Sequence, residues 1–211
     1  MLENVKTFIE IDEMELPSYS SLEAAGCDVR ANADVVILPG ETKIVPTGFK
    51  LAIEPGYEVQ VRPRSGLSLK TWLRIPNSPG TIDSDYRHEC GVIVQNQFTS
   101  ATLQDLLLRK PELAQELDAK YQAVDLLNFY QKRGWSTESL QKLLVENPSL
   151  NTNKVYLDAK GNPFGTLYIE RGERIAQMVL CKVERMEFVQ HEDVSKIGNN
   201  RGGGYGSTGV K

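Results

Sequence analysis

The sequence predicts a mainly β protein, a sandwich or barrel of short strands with a helical insertion. Three observations predict it. Short apolar runs and period-two alternation, cut by Pro and Gly, recur between residues 35 and 95. The apolar spacing turns helical between residues 99 and 151, and strand-like patterning resumes over 164–170 and 174–180.

Each predicted element has a local reason. Val35, Val36, Ile37 and Leu38 form an apolar run stopped by Pro39-Gly40, and Phe49, Leu51 and Ile53 alternate up to Pro55-Gly56. Tyr57, Val59 and Val61 alternate up to Pro63, and Val92 and Val94 continue the pattern after Thr81. In the middle third Leu103, Leu106 and Leu107, then Leu113, Leu117, Tyr121, Val124 and Leu127, recur at helical spacing among polar residues. A weak repeat lies inside that segment: residues 103–113 align with 140–150 at six of eleven positions, and the match extends back to Phe98 over Trp135. In each copy a Ser/Thr cluster can cap the helix start, and Pro111 or Pro148 ends it or begins the next. Convergent helix punctuation and a duplicated helical unit account for the repeat equally well. The expected organisation is a β core over 1–97 and 156–197, a helical insertion over 98–155 and a Gly-rich flexible tail over 198–211.

Composition bounds the function. The 211 residues are 40% hydrophobic and 25% charged, which suits a soluble globular protein. No stretch reaches the roughly 18 apolar residues of a membrane helix, and residues 1–10 carry charges where a signal peptide needs an apolar run. An intracellular location is therefore expected, with no membrane partner. The net charge of −4, and seven positive against seven negative side chains over 101–155, argue against nucleic-acid binding. Cys27, Cys90 and Cys181 are odd in number and scattered, so reduced packing thiols are expected. His88 and His191 lack zinc-site spacing, which leaves carboxylates, arginines, backbone amides and a loosely bound divalent ion to carry any chemistry.

Three segments could carry it. Arg64, Ser65 and Gly66 follow an alternating strand and set a guanidinium, a hydroxyl and a permissive backbone on a turn, the donors a phosphate requires. Taken singly, an ordinary β-turn explains them as well. In residues 77–87, period two would place Ile82, Ser84 and Tyr86 on one side of a hairpin and Asp83 with Asp85 on the other, unless a turn breaks the register. A carboxylate there can activate a water, and an aromatic ring can gate a sugar. In the tail, Arg201, Tyr205, Gly206, Ser207 and Thr208 combine anion donors with a ring for a base.

Five motifs in order resemble those of the trimeric dUTPase family, the dUTP diphosphatases built as β jelly rolls of the β-clip type. They are residues 25–31 (Ala-Gly-Cys-Asp-Val-Arg-Ala), 63–70, 80–89, 172–178 (Gly-Glu-Arg-Ile-Ala-Gln-Met) and 201–209. The resemblance covers roughly the first 97 residues and the last 50, and implies a homotrimer that hydrolyses dUTP to dUMP and pyrophosphate with Mg²⁺ bridging the triphosphate. By that resemblance Asp83 deprotonates the attacking water, and Asn77, Gly80 and Ile82 shape the uracil pocket. Tyr86 packs under the deoxyribose and excludes a 2′-hydroxyl. Arg64, Ser65, Gly66 and Gln177 bind phosphates, and Asp28 holds Arg64 or a metal-bound water. The tail closes a neighbour's site, with Tyr205 on uracil and Arg201, Gly206, Ser207 and Thr208 around the phosphates.

Four departures stand out. His88 replaces a family glycine, so strained or altered backbone is expected there. Cys27 replaces a common aromatic, Arg201 lies one residue nearer Tyr205, and the link between the third and fourth motifs is much longer than usual. That link matches in placement, though not in sequence, an extra segment by which some phage members engage a regulatory protein. A regulatory partner for the insertion is accordingly one expectation. Two other functions compete: a nucleotide-responsive interaction module acting through the insertion, and a dCTP deaminase of the same fold. Such deaminases use a Glu in the base pocket, whereas the Ile-Asp-x-Asp-Tyr hairpin and the Gly-rich tail favour dUTP hydrolysis.

Overall fold

The computed structural model describes residues 4–146 and 154–203. Its core is built from β1 (Phe8–Ile11), β2 (Cys27–Arg30), β3 (Val35–Ile37), β4 (Thr42–Val45), β5 (Phe49–Ala52), β6 (Tyr57–Pro63), β7 (Leu73–Arg74), β8 (Gly80–Ile82) and β9 (Val92–Asn96), with the short helix α1 (Ser65–Lys70) after β6. The middle of the chain carries α2 (Ser100–Arg109), α3 (Glu112–Lys120), β10 (Gln122–Asp125), α4 (Leu126–Gln131), α5 (Thr137–Glu146) and β11 (Lys154–Leu157). The chain then returns to the core as β12 (Leu167–Ile169) and β13 (Arg174–Lys182).

A four-stranded antiparallel sheet in the order β2-β13-β6-β8 and a three-stranded sheet β4-β9-β7 supply the main layers, with β1-β5 and β3-β12 as flanking pairs. Alternation decides what each strand buries. Cys27 and Val29, Val59 and Val61, Ile82, and Ala176 and Met178 point inward, and Val45, Val92, Val94 and Leu73 meet them from the second sheet. The period-two segments read from the sequence therefore become β3, β5, β6, β9, β12 and β13. Burial pushes the Cys27 thiol up and the Cys90 thiol up to about 11, which keeps both protonated, and all three cysteines are free. Among the described residues no helix is long and apolar enough to cross a membrane.

The middle third differs in one respect from its helical periodicity. Tyr121, Val124 and Leu127 do not continue α3: residues 122–125 form β10, which pairs antiparallel with β11. Gln122 lies opposite Leu157 and Asp125 opposite Lys154, so the segment that returns to the core begins as a strand of the insert. A four-residue strand and one helical turn are indistinguishable by apolar spacing alone. The repeat reappears as a repeated cap. Thr99 Oγ1 accepts the Thr102 amide at the start of α2, and Ser136 Oγ accepts the Ser139 amide at the start of α5. Pro148 lies outside the described residues.

Asn96, fully buried at the end of β9, joins the two parts. Its Nδ2 donates to the carbonyls of Ile37 at 3.1 Å and Gly165 at 2.8 Å, and its Oδ1 accepts the Phe98 amide at 3.0 Å. The chain's departure from the β core after β9 and its return before β12 are thus held by one side chain. Edge-to-face rings run across the same junction from Trp72 to Phe98, Phe164 and Tyr121, with centroids 5.8, 5.4 and 5.2 Å apart. Gly165, at φ +87°, lets the backbone lie against Phe98, because a Cβ there would stand 2.2 Å from that ring. Beyond the junction the Asp158 carboxylate accepts the amides of Lys160 and Asn162 and the Tyr168 hydroxyl. Burial works to raise the Asp158 carboxyl, but these donors outweigh it and hold the group below its ordinary range.

Candidate active site

The outward face of the four-stranded sheet carries the polar groups. Gln177 on β13 stands opposite Asp28 on β2 and opposite Arg62 on β6, so the three share one row across the sheet. Past Pro63 the chain turns into α1, and Arg64 extends this row. Arg64 Nε approaches Asp28 Oδ1 to 2.9 Å, but its N–H does not align with that oxygen, so the contact is an ion pair rather than a hydrogen bond. No side chain caps α1, so the leading amides at Ser65 and Gly66 stay open to an oxyanion.

A residue that the sequence reasoning left out completes this end. The pairing of β13 with β2 shifts register between Arg174 and Ala176, and Ile175 and Ala176 are both buried. The bulge re-aims Arg174 onto the outward face, where simple alternation from Gln177 would send it inward. There Arg174 Nη1 donates to Asp28 Oδ2 at 3.2 Å, while its carbonyl accepts Arg64 Nη1 at 3.1 Å. Asp28 is therefore wedged between two guanidinium groups, and the end of the sheet holds net positive charge. The bulge has no signal in the alternation, but Arg174 lies within the fourth motif and was visible there.

The second set of groups runs along β8, from Asn77 before it to Asp83 and Tyr86 past its far end. Asn77 precedes β8, and its Nδ2 would stand 3.0 Å from a Cβ at residue 80, so a side chain there would push it aside by a few tenths of an ångström. Ile82 is buried, and Asp83 is exposed just past the strand. The alternation stops here: the Tyr86 amide donates to the Asp83 carbonyl at 3.1 Å and closes a turn. Asp83, Asp85 and Tyr86 are all exposed, Tyr86 by 40%, so the two-sided hairpin allowed by period two gives way to the turn. His88 is not strained. Among the described non-glycine residues only Glu13 has a positive φ.

Register separates Asp83 from Arg64. Val61 pairs with Gly80 and Val59 with Ile82, so the register carried one residue past β8 would set Asp83 level with Glu58, six residues along β6 from Arg64. At the usual strand rise this is about 20 Å. Asp28, Arg64, Ser65, Gly66 and Gln177 come together, Asn77 and Gly80 come together, and Asp83 and Tyr86 share one turn. The two ends do not meet within one chain. Arg201 is exposed, with Nε 3.4 Å from the Gly203 carbonyl, and Tyr205, Gly206, Ser207 and Thr208 lie outside the described residues.

A β jelly roll with an arginine-rich, uncapped turn at one end of a sheet and an exposed carboxylate at the other has the equipment of a polyphosphate-handling protein. The dUTPase family matches residues 12–103. The deoxyuridine 5′-triphosphate nucleotidohydrolase of Anaeromyxobacter sp. (strain Fw109-5) is 34% identical over 196 residues, covering 93% of this chain and 88% of the relative. That of Chlamydia felis is 42% identical over 137 residues, covering 63% of this chain and 90% of the relative. The dUTPase of Staphylococcus bacteriophage 80alpha, solved with dUPNHPP, has a similar fold. Its TM-score is 0.65 at 21% identity, covering 97% of this chain and 99% of that one. The chain belongs to the dUTPase family.

Proposed function

We propose that the chain hydrolyses dUTP to dUMP and pyrophosphate at a site shared between copies of itself in a homotrimer. The observation that carries this reading is the separation of the two groups on one sheet. A water held by Asp83 cannot reach a phosphate held by Arg64 of the same chain, so a working site takes Asp83 from one copy and Arg64 from another. The segment after β13 supports association. Met186, Phe188 and Val189 are exposed by 77, 86 and 80%, an apolar run suited to the surface of a neighbouring copy.

In the reaction Asp83 orients a water and takes its proton as the oxygen attacks the α-phosphorus. The bond from that phosphorus to the bridging oxygen breaks, and pyrophosphate leaves. Arg64, the amides at Ser65 and Gly66, and Gln177 hold the phosphates, while the Asp28 carboxylate fixes the Arg64 guanidinium in place. Asn77, Gly80 and Ile82 form the uracil pocket and Tyr86 lies against the deoxyribose. Arg201, Tyr205, Gly206, Ser207 and Thr208 close the site over the bound nucleotide. Among the described residues no three His, Cys, Asp or Glu side chains form a metal cage. Mg²⁺ would be carried by the triphosphate, with the chain contributing Asp28 through water; the Asp28 side chain keeps 18% exposure, and carboxylate oxygens suit that ion. Bound there, Mg²⁺ would neutralise phosphate charge.

Pyrophosphate release with Mg²⁺ on dUTP, dCTP, dTTP and UTP tests the reading. Release from dUTP, with UTP turned over far more slowly and no release from dCTP or dTTP, is the expected result. Ammonia from dCTP would establish the deaminase instead, and tight dUTP binding without turnover the interaction module.

We further propose that the insertion, residues 98–155, engages a regulatory protein. Its exposed Leu108, Trp135 and Val145 support a contact face. Leu108→Ala and Trp135→Ala should leave dUTP turnover within about two-fold of the parent, as expected for surface substitutions away from the site. A collapse of turnover in a trimer that persists would move the insertion into the active site.

A further inference from the structure

We propose that His88 is a positioning residue that fixes the plane of the Tyr86 ring, and through it the discrimination between deoxyribose and ribose. The inference rests on the reading of Tyr86 as the ring beneath the sugar. Its observation is the way that ring is held. The Tyr86 hydroxyl donates to the Glu89 carbonyl at 3.1 Å. Glu89 is itself tied down, since its Oε1 accepts the amides of Thr47 at 3.2 Å and Gly48 at 2.8 Å, in the turn between β4 and β5. This anchors the far end of the phenol firmly.

An anchor on the hydroxyl does not fix the plane. The oxygen lies on the long axis of the ring, so the ring can turn about that axis with the hydrogen bond intact, and the corresponding torsion is broad for tyrosine. A second, off-axis contact is required. His88 supplies one: its ring stands 5.8 Å from that of Tyr86 at 66°, an edge-to-face arrangement, and the two are neighbours on an exposed turn. A turned phenol would present an edge where the sugar meets a face, and a difference of one hydroxyl group is read only by a surface whose orientation is fixed. His88 has room for this role because its backbone is of an ordinary, negative-φ kind.

The test is the ratio of kcat/KM for dUTP over UTP in the full-length protein, with kcat and KM resolved for each. His88→Ala removes the ring and should lower the ratio about five-fold, within the span that an edge-to-face pair supplies. The loss should appear as a higher KM for dUTP and a lower one for UTP, with kcat for dUTP nearly unchanged. His88→Phe keeps a ring without the imidazole nitrogens and should restore the ratio to within two-fold of the parent. A His88→Ala ratio within two-fold of the parent overturns the inference. Equal losses in the Ala and Phe variants overturn it too, since a structural role specific to histidine would give that pattern. Inactivity of the parent toward dUTP would be seen before any variant is compared, and would bring down the reading of Tyr86 together with this one.

Discussion

Asp83→Asn is expected to lower kcat for dUTP by at least about 100-fold while leaving nucleotide affinity close to that of the parent. The amide keeps the shape of the carboxylate and can still touch a water, but it cannot accept the proton released as that water attacks. The exposed position of Asp83 past the end of β8 argues against a folding role, so the melting temperature should not move. Mixing makes the test sharper. Asp83→Asn and Arg64→Ala chains, each inactive alone, should regain part of the activity when unfolded and refolded together. Some sites of a mixed trimer then draw Asp83 from one parent and Arg64 from the other. No recovery from mixed trimers would mean that both residues serve the same chain's site, and the separation of about 20 Å along β6 would have to close by rearrangement.

The second large effect is on stability. Asn96→Ala should destabilise the fold by about 3 kcal/mol, read as a lower midpoint in urea at unchanged slope. Three hydrogen bonds end on this fully buried side chain, and its removal strands the Phe98 amide and the Ile37 carbonyl in the interior and leaves the part-buried Gly165 carbonyl without this donor. A loss below about 1 kcal/mol would mean that water replaces the amide and that the junction is looser than its geometry suggests.

Much of this fold was legible because its strands bury one face. The inward set of Val59, Val61, Val92, Val94 and Met178 follows from alternation between Pro and Gly corners. The phosphate end was legible as a motif, Pro63 to Leu67, though not as a geometry. Asp28 and Arg174 are 146 residues apart, and their contact depends on a bulge, a local slip that side-chain chemistry does not announce. Asn96 could have been found: it continues the inward series of Val92 and Val94, and a polar residue on a core-facing position needs partners. The β10-β11 pair was hidden because its apolar residues also fit a helical period. The turn at Asp83 broke a register that alternation can extend but cannot end.

The hub at Asn96 also bears on how such a chain can change over evolutionary time. The core leaves through Phe98 and returns through Gly165, and one side chain binds both. To the core, the intervening residues are a closed loop whose ends are already together. The entropy of closing a flexible loop grows only logarithmically, about 0.6 kcal/mol for each doubling of length. Lengthening, trimming or replacing the segment therefore leaves the sheet register nearly untouched, and with it the row of Asp28, Gln177 and Arg62. New surface can be acquired at this point without renegotiating the chemistry, which makes the junction a port for exchange between lineages.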